Sequence, residues 1–298
     1  MKFNRNILFN TITALTFLAL AVPILFSQEI QYVIAFTGIF SFGILHGSND
    51  LFVIETLKNK PKQNRFTRSL ITYLGVVLAF VVIFYFIPLI ALLAFVLISG
   101  YHFGEQHFHH KISNPSSVLA SLFYQTYGLL VLFLLLYLNS KEVILIIQDM
   151  TGYLVTESLL LYVLLGSLVL SFIFFVMLSK KNTALKASAL RNVFYLVLFS
   201  GLFYVSGVVW GFAVYFVLWH SLPSLKDQVN SLYGKFDLEN FSKYFKKAFP
   251  YWLASIIGLC VVVWLFKDFK NFISLVFAFI AAITFPHVFV MRKLFGRD

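Results

Sequence analysis

From Asn192 to Leu225 the chain runs 34 residues without an Asp, Glu, Lys or Arg. As one helix, rising about 1.5 Å per residue, it would be ~50 Å long, against a bilayer hydrocarbon core of about 30 Å. The run must therefore be two membrane spans, with Ser206-Gly207 as the turn between them. Apolar segments of span length recur along the chain, near 7–27, 31–50, 68–87, 89–110, 117–138, 158–179, 190–206, 207–225, 250–266 and 271–291. The expected fold is all-α: a single polytopic transmembrane helical bundle over residues 1–298, with about ten spans. Composition agrees, because 12% charged residues is half of the roughly one quarter usual in soluble domains.

The net charge of +11 resolves into topology once the basic residues are mapped onto loops. With ten spans, 20 of the 23 Lys and Arg fall on one side, and only Lys141, Lys267 and Lys270 on the other. Loops facing the cytoplasm carry such an excess, which puts both termini there. The basic surface then meets anionic headgroups, and no nucleic acid is expected. Lys2 and Arg5 before the apolar Ile7–Phe26 stretch resemble a signal peptide, but the stretch is long and no small-x-small cleavage pattern follows, so it reads as the first span. Cys260 is alone, which rules out a disulfide or thiolate cluster within the chain. Segment 140–156 reads as an interfacial piece on the outer side. Segment 226–249 alternates Lys, Asp and Glu with Leu, Phe and Tyr and reads as one amphipathic helix lying on the cytoplasmic face.

Four of the seven histidines, His46, His102, His220 and His287, lie late in apolar segments and at similar depth. An imidazole in a bilayer is costly unless it faces a cavity, a partner or a metal. In the expected topology all four fall in the cytoplasmic half of the membrane, which points to one shared site. Asp50 follows His46 by one helical turn, and Glu105 follows His102 by three residues, so each carboxylate is expected to orient its neighbouring imidazole. His107, His109 and His110 come later, near Lys111 and the interface. Pro286 precedes His287 and frees a backbone carbonyl one turn earlier. Several imidazoles without thiolates suit iron, copper or zinc. The 37 Phe, 15 Tyr and 4 Trp supply walls for an apolar tunnel, which implies a lipophilic substrate entering from the bilayer.

His46-Gly47 with Asp50, Tyr101-His102-Phe103-Gly104, Trp219-His220-Ser221 and Pro286-His287 together resemble the Brp/Blh family of bacterial membrane β-carotene 15,15′-dioxygenases. The resemblance implies a multi-pass protein of the cell inner membrane that uses Fe(2+) and O2 to cleave β-carotene at its central double bond. Its product would be two molecules of all-trans-retinal, supplied to a microbial rhodopsin. It also implies that His46, His102 and His220 are iron ligands. Some members carry a further histidine one turn after the last of these, where this chain has Ser224, so His287 is the candidate fourth ligand and His107 an extra one.

Two other classes fit the same residues less well. Membrane di-iron desaturases and hydroxylases crowd their histidines into boxes and need about eight ligands; here only His107-x-His109-His110 is crowded. A metal or isoprenoid transporter would be expected to ladder its polar groups across the membrane instead of gathering them at one depth.

Overall fold

The computed structural model describes residues 5–57, 63–265 and 272–295, and all regular structure among them is helical. Lys2, Lys58, Lys60, Lys62, Lys267, Lys270 and Arg297, which enter the charge count, lie outside the described residues. The helices are α1 (Arg5–Leu25), α2 (Gln28–Gly38), α3 (Asp50–Leu57), α4 (Gln63–Phe86), α5 (Pro88–Phe108), α6 (Val118–Leu138) and α7 (Ser140–Thr151). They continue as α8 (Glu157–Ser179), α9 (Thr183–Ala187), α10 (Ala189–Val205), α11 (Val208–Val214), α12 (Leu222–Tyr233), α13 (Leu238–Leu265) and α14 (Phe272–Phe295). Two π-helical stretches interrupt this series: Ile39–Gly43 extends α2, and Tyr215–Ser221 joins α11 to α12.

Eight helices among the described residues are long and apolar enough to cross a membrane, the joined α11–α12 counting as one. The other two expected spans fall on shorter helices, α10 and α2 with its π extension. Large apolar side chains such as Ile24, Tyr85, Phe172 and Tyr204 stand exposed on the outer faces, as lipid-facing positions do. The α11–α12 helix is the central one: 89% of its apolar stretch is buried, where α4 and α13 have 11%. Its two tryptophans fasten it to α1. Trp210 Nε1 donates to the Ala19 carbonyl at 3.1 Å, and Trp219 Nε1 to Thr16 Oγ1 at 2.9 Å. Within a dry bundle such bonds satisfy groups that have no water to turn to.

The turn at Ser206-Gly207 is where the uncharged run required one, since both residues are extended and separate α10 from α11. Glu142 on α7 caps the new helix, its Oε2 accepting from the Val208 N–H at 3.0 Å. Ser117 and Thr156 cap α6 and α8 through bonds from the N–H groups of Ala120 and Leu159.

Helices α5 and α6 touch backbone to backbone. A Cβ on Gly104 would overlap the Tyr124 carbonyl, and one on Gly128 would overlap the Gly100 carbonyl. Glycines at such a crossing let two helix axes approach as far as sterics allow. His102 lies between Gly100 and Gly104, so this contact sets its depth.

One expectation is corrected here. Residues 226–249 do not form a single amphipathic helix: α12 ends at Tyr233, Gly234 takes φ +80°, and α13 begins at Leu238 and runs on into the membrane segment. Glycine is the residue that adopts this left-handed conformation without strain. Asp237 then caps α13, its Oδ1 accepting from the Asn240 N–H at 2.9 Å. The Lys235 ammonium, 2.8 Å away, holds the Asp237 carboxyl below its usual range.

Candidate metal centre

The four deep histidines come from four different elements and meet. His46 lies in a four-residue turn between the first π stretch and α3, His102 in α5, His220 in the second π stretch, and His287 in α14 after Pro286. Ring centroids are 5.0 Å apart for His46–His220, 4.7 Å for His46–His287, 4.8 Å for His102–His220 and 5.3 Å for His102–His287. The planes cross at 77° or more, so none of these pairs is stacked. One ring nitrogen each from His46, His220 and His287 lie within 4.8 Å of one another, and all four residues are at most 4% exposed.

Two of the imidazoles have their tautomer set by neighbours. His287 Nδ1 donates to Asp50 Oδ1 at 2.8 Å, and the other carboxylate oxygen accepts from the Tyr73 hydroxyl at 2.9 Å. His46 Nδ1 donates to the Gly43 carbonyl. In both rings Nε2 is left with its lone pair, the state a metal ligand needs. The pairing of Asp50 corrects the expectation that it would orient His46. The reason is local: residues 46–49 form tight i→i+3 turns, with Gly47 N–H on Ile44 O and Asp50 N–H on Gly47 O, so the one-turn helical face does not exist there. Glu105 likewise does not reach His102. Its Oε1 accepts from the Tyr101 hydroxyl at 3.0 Å, one turn earlier on α5.

The turn that carries His46 is anchored from behind. Gln228 Nε2 donates to the His46 carbonyl at 2.7 Å, the Tyr244 hydroxyl to Gln228 Oε1 at 2.9 Å, and Asn49 Nδ2 to the Tyr244 carbonyl at 3.0 Å. Ser224 belongs to this network, with its Oγ 3.2 Å from Gln228 Nε2. Tyr73, Gln228 and Tyr244 were not singled out from sequence. His107 sits among Phe9, Phe108, Tyr127 and Tyr195, with its ring 4.6–6.4 Å from theirs. It lies five positions after His102, which on an α-helix turns it well away from that residue.

Two cavities flank the cluster. One, of about 440 Å³, reaches His46, His220 and His287 and is walled by Tyr73 of α4, Gly258 of α13 and Ile283 of α14. The other, of about 310 Å³, is walled almost wholly by apolar groups, among them Phe84, Phe95, Phe212 and Phe277. Phe103 lines this second cavity and packs its ring 4.7 Å from that of His220.

Comparison with models of known protein families matches residues 37–295 to beta-carotene 15,15′-dioxygenase. The chain belongs to that family. The match spans all four clustered histidines together with Asp50 and Tyr73. Comparison with curated proteins and with solved structures gave no match.

A metal fits the dioxygenase's cluster on the evidence of its polar atoms. Both ring nitrogens of His102, Nδ1 of His220 and Nε2 of His287 are buried without a hydrogen-bond partner among the described residues. Burying such groups unpaired costs about 1–3 kcal/mol each. An ion shared by His46, His220 and His287 would be within reach of one nitrogen of each. Four neutral imidazoles without thiolate suit a divalent first-row transition metal.

Proposed function

We propose that this dioxygenase family member cleaves β-carotene at its central 15,15′ double bond with O2, giving two molecules of all-trans-retinal. The observation that carries the reading is the convergence of His46, His102, His220 and His287 from four separate elements beside two apolar cavities. These four residues would hold one Fe(2+), with Asp50 fixing the His287 ring and the Gly43 carbonyl fixing that of His46. When bound, the iron would supply the redox chemistry by which dioxygen combines with the alkene. His107 is outside this ligand set, and Glu105 has no part in orienting it.

The remaining work falls to the apolar side chains. Phe103 and Phe216 lie against His220 and would keep water from the reacting bond. The polyene would lie along the two cavities, its central bond beside the imidazoles and its ends held by Phe84, Phe95 and Phe277 on one side and Ile283 on the other. No residue is required to move a proton, since O2 supplies both product oxygens' count and the two carbon fragments leave as aldehydes. Substrate would enter sideways from the bilayer. The protein would span the cell inner membrane about ten times with both termini cytoplasmic, and its retinal would serve a microbial rhodopsin.

The test is retinal formation from β-carotene by the purified chain beside His46→Ala, His102→Ala, His220→Ala and His287→Ala, with iron measured in each. Wild type is expected to hold one iron and form retinal. Each variant should lose at least 100-fold in activity, together with iron. An iron-loaded wild type that forms no aldehyde would overturn the reading, and two irons per chain would favour desaturation or hydroxylation.

A further inference from the structure

We propose that the chain carries a second cation site where the end of α5 meets α12, built from His109, His110 and Asp227 and taking a divalent transition ion such as zinc. One potential ligand atom from each residue lies within 4.8 Å of the other two. His110 Nε2 is 3.6 Å from Asp227 Oδ2, and the His109 and His110 ring centroids are only 3.5 Å apart. Two imidazoles in that contact can both turn a ring nitrogen lone pair to one external cation.

The surroundings are those of a metal ligand set. His109 is 4% exposed, and its Nδ1 donates to the Glu105 carbonyl at 3.0 Å, which leaves Nε2 as the ligating nitrogen. A backbone carbonyl on the far nitrogen is the usual way a metal-bound imidazole is oriented. Gln106 Nε2 donates to Asp227 Oδ2 at 3.0 Å and so aims the carboxylate. Two imidazoles and a carboxylate, with His110 at the surface to admit a water as fourth ligand, make the donor set of a zinc site.

The site is separate from the four-histidine centre. His109 lies two helical turns beyond His102, about 10 Å along α5. What it would do follows from its position. It joins α5, which carries His102, to α12, which continues from the π stretch carrying His220. A bound ion would clamp these two helices at the end nearest the interface and so stabilise the spacing of the two histidines deeper in.

The experiment uses the full chain purified in detergent, stripped by a chelator and dialysed against Zn²⁺, with zinc counted per chain and thermal unfolding followed with and without it. Relative to wild type, His110→Ala and Asp227→Asn should each hold one zinc fewer and lose most of the zinc-induced rise in Tm. A His46→Ala/His220→Ala double variant should still hold one zinc and still be stabilised by it. Zinc content equal to wild type in both single variants, or none in the double variant, would overturn the site. Because the readouts are zinc and Tm, the site can stand even if no retinal is formed, and the proposed cleavage can stand if no second zinc is found.

Discussion

Asp50 holds the ring of His287, 237 positions away, and is itself held by Tyr73. Replacing it by Asn keeps the shape but lets the amide donate where only acceptance is useful, which frees the His287 ring to turn over. Asp50→Asn is expected to weaken iron binding about 10- to 100-fold. Tyr73→Phe removes one bond from a carboxylate that keeps the other, and its loss should be under about tenfold. Iron titration at buffered free metal reads both, and unchanged affinity in Asp50→Asn would remove it from the site. The four histidines were legible in the sequence because a lone imidazole in an apolar run has few bland explanations. Tyr73 was not, being one of 15 tyrosines with nothing in its spacing to mark it. Its role comes only from the packing of α4 against α3. The partner of Asp50 was misread for a related reason, since a helical turn was assumed where Gly47-Ser48-Asn49 bends the chain.

At the level of elements, the two π stretches and the glycine contact position the site. A π turn holds one residue more than an α turn, and such insertions are frequent at functional sites. In a uniformly apolar sequence no periodicity betrays them, which is why neither was foreseen. The second contains His220. Deleting Val217 should restore a regular helix and turn His220 by about 100° from the other three rings. The protein should keep its helical circular dichroism and lose its iron; full iron occupancy after the deletion would show that the stretch is incidental. Gly128→Ala tests the other device. The added methyl has only the Gly100 backbone to displace, so the cost should reach or exceed the top of the roughly 1–3 kcal/mol usual for overpacking. Thermal unfolding in detergent measures it, and a Tm equal to wild type would mean that α5 and α6 separate at little cost. By contrast, the break at Gly234 was readable. A glycine between an apolar tyrosine and a basic residue, inside an amphipathic pattern, is a helix stop signal that charge alternation had masked.

Taken as a whole, the molecule gathers its buried polar machinery toward one end of an otherwise apolar bundle. The His46 turn, the Gln228–Tyr244 network and the Asp50–Tyr73 pair all bear on the same few residues of α3, α4, α12, α13 and α14. Class, helix content and the grouping of the histidines were open to sequence reading because lipid forces them. The supporting network was not, because its anchoring bonds, from Gln228 to His46, from Asn49 to Tyr244 and from His287 to Asp50, join residues far apart in the chain. A different asymmetry runs sideways. The α5–α6 contact is welded main chain to main chain, while Gly75 of α4 and Gly258 of α13 have no neighbour within 4 Å of where a side chain would begin. Helices α4 and α13, the least buried of the eight long apolar helices among the described residues, border the cavity reaching the histidines. Amide exchange in nanodiscs should be faster in α13 than in α5 and α6, and should slow there when carotenoid is added; equal protection in all three helices would deny the molecule a door.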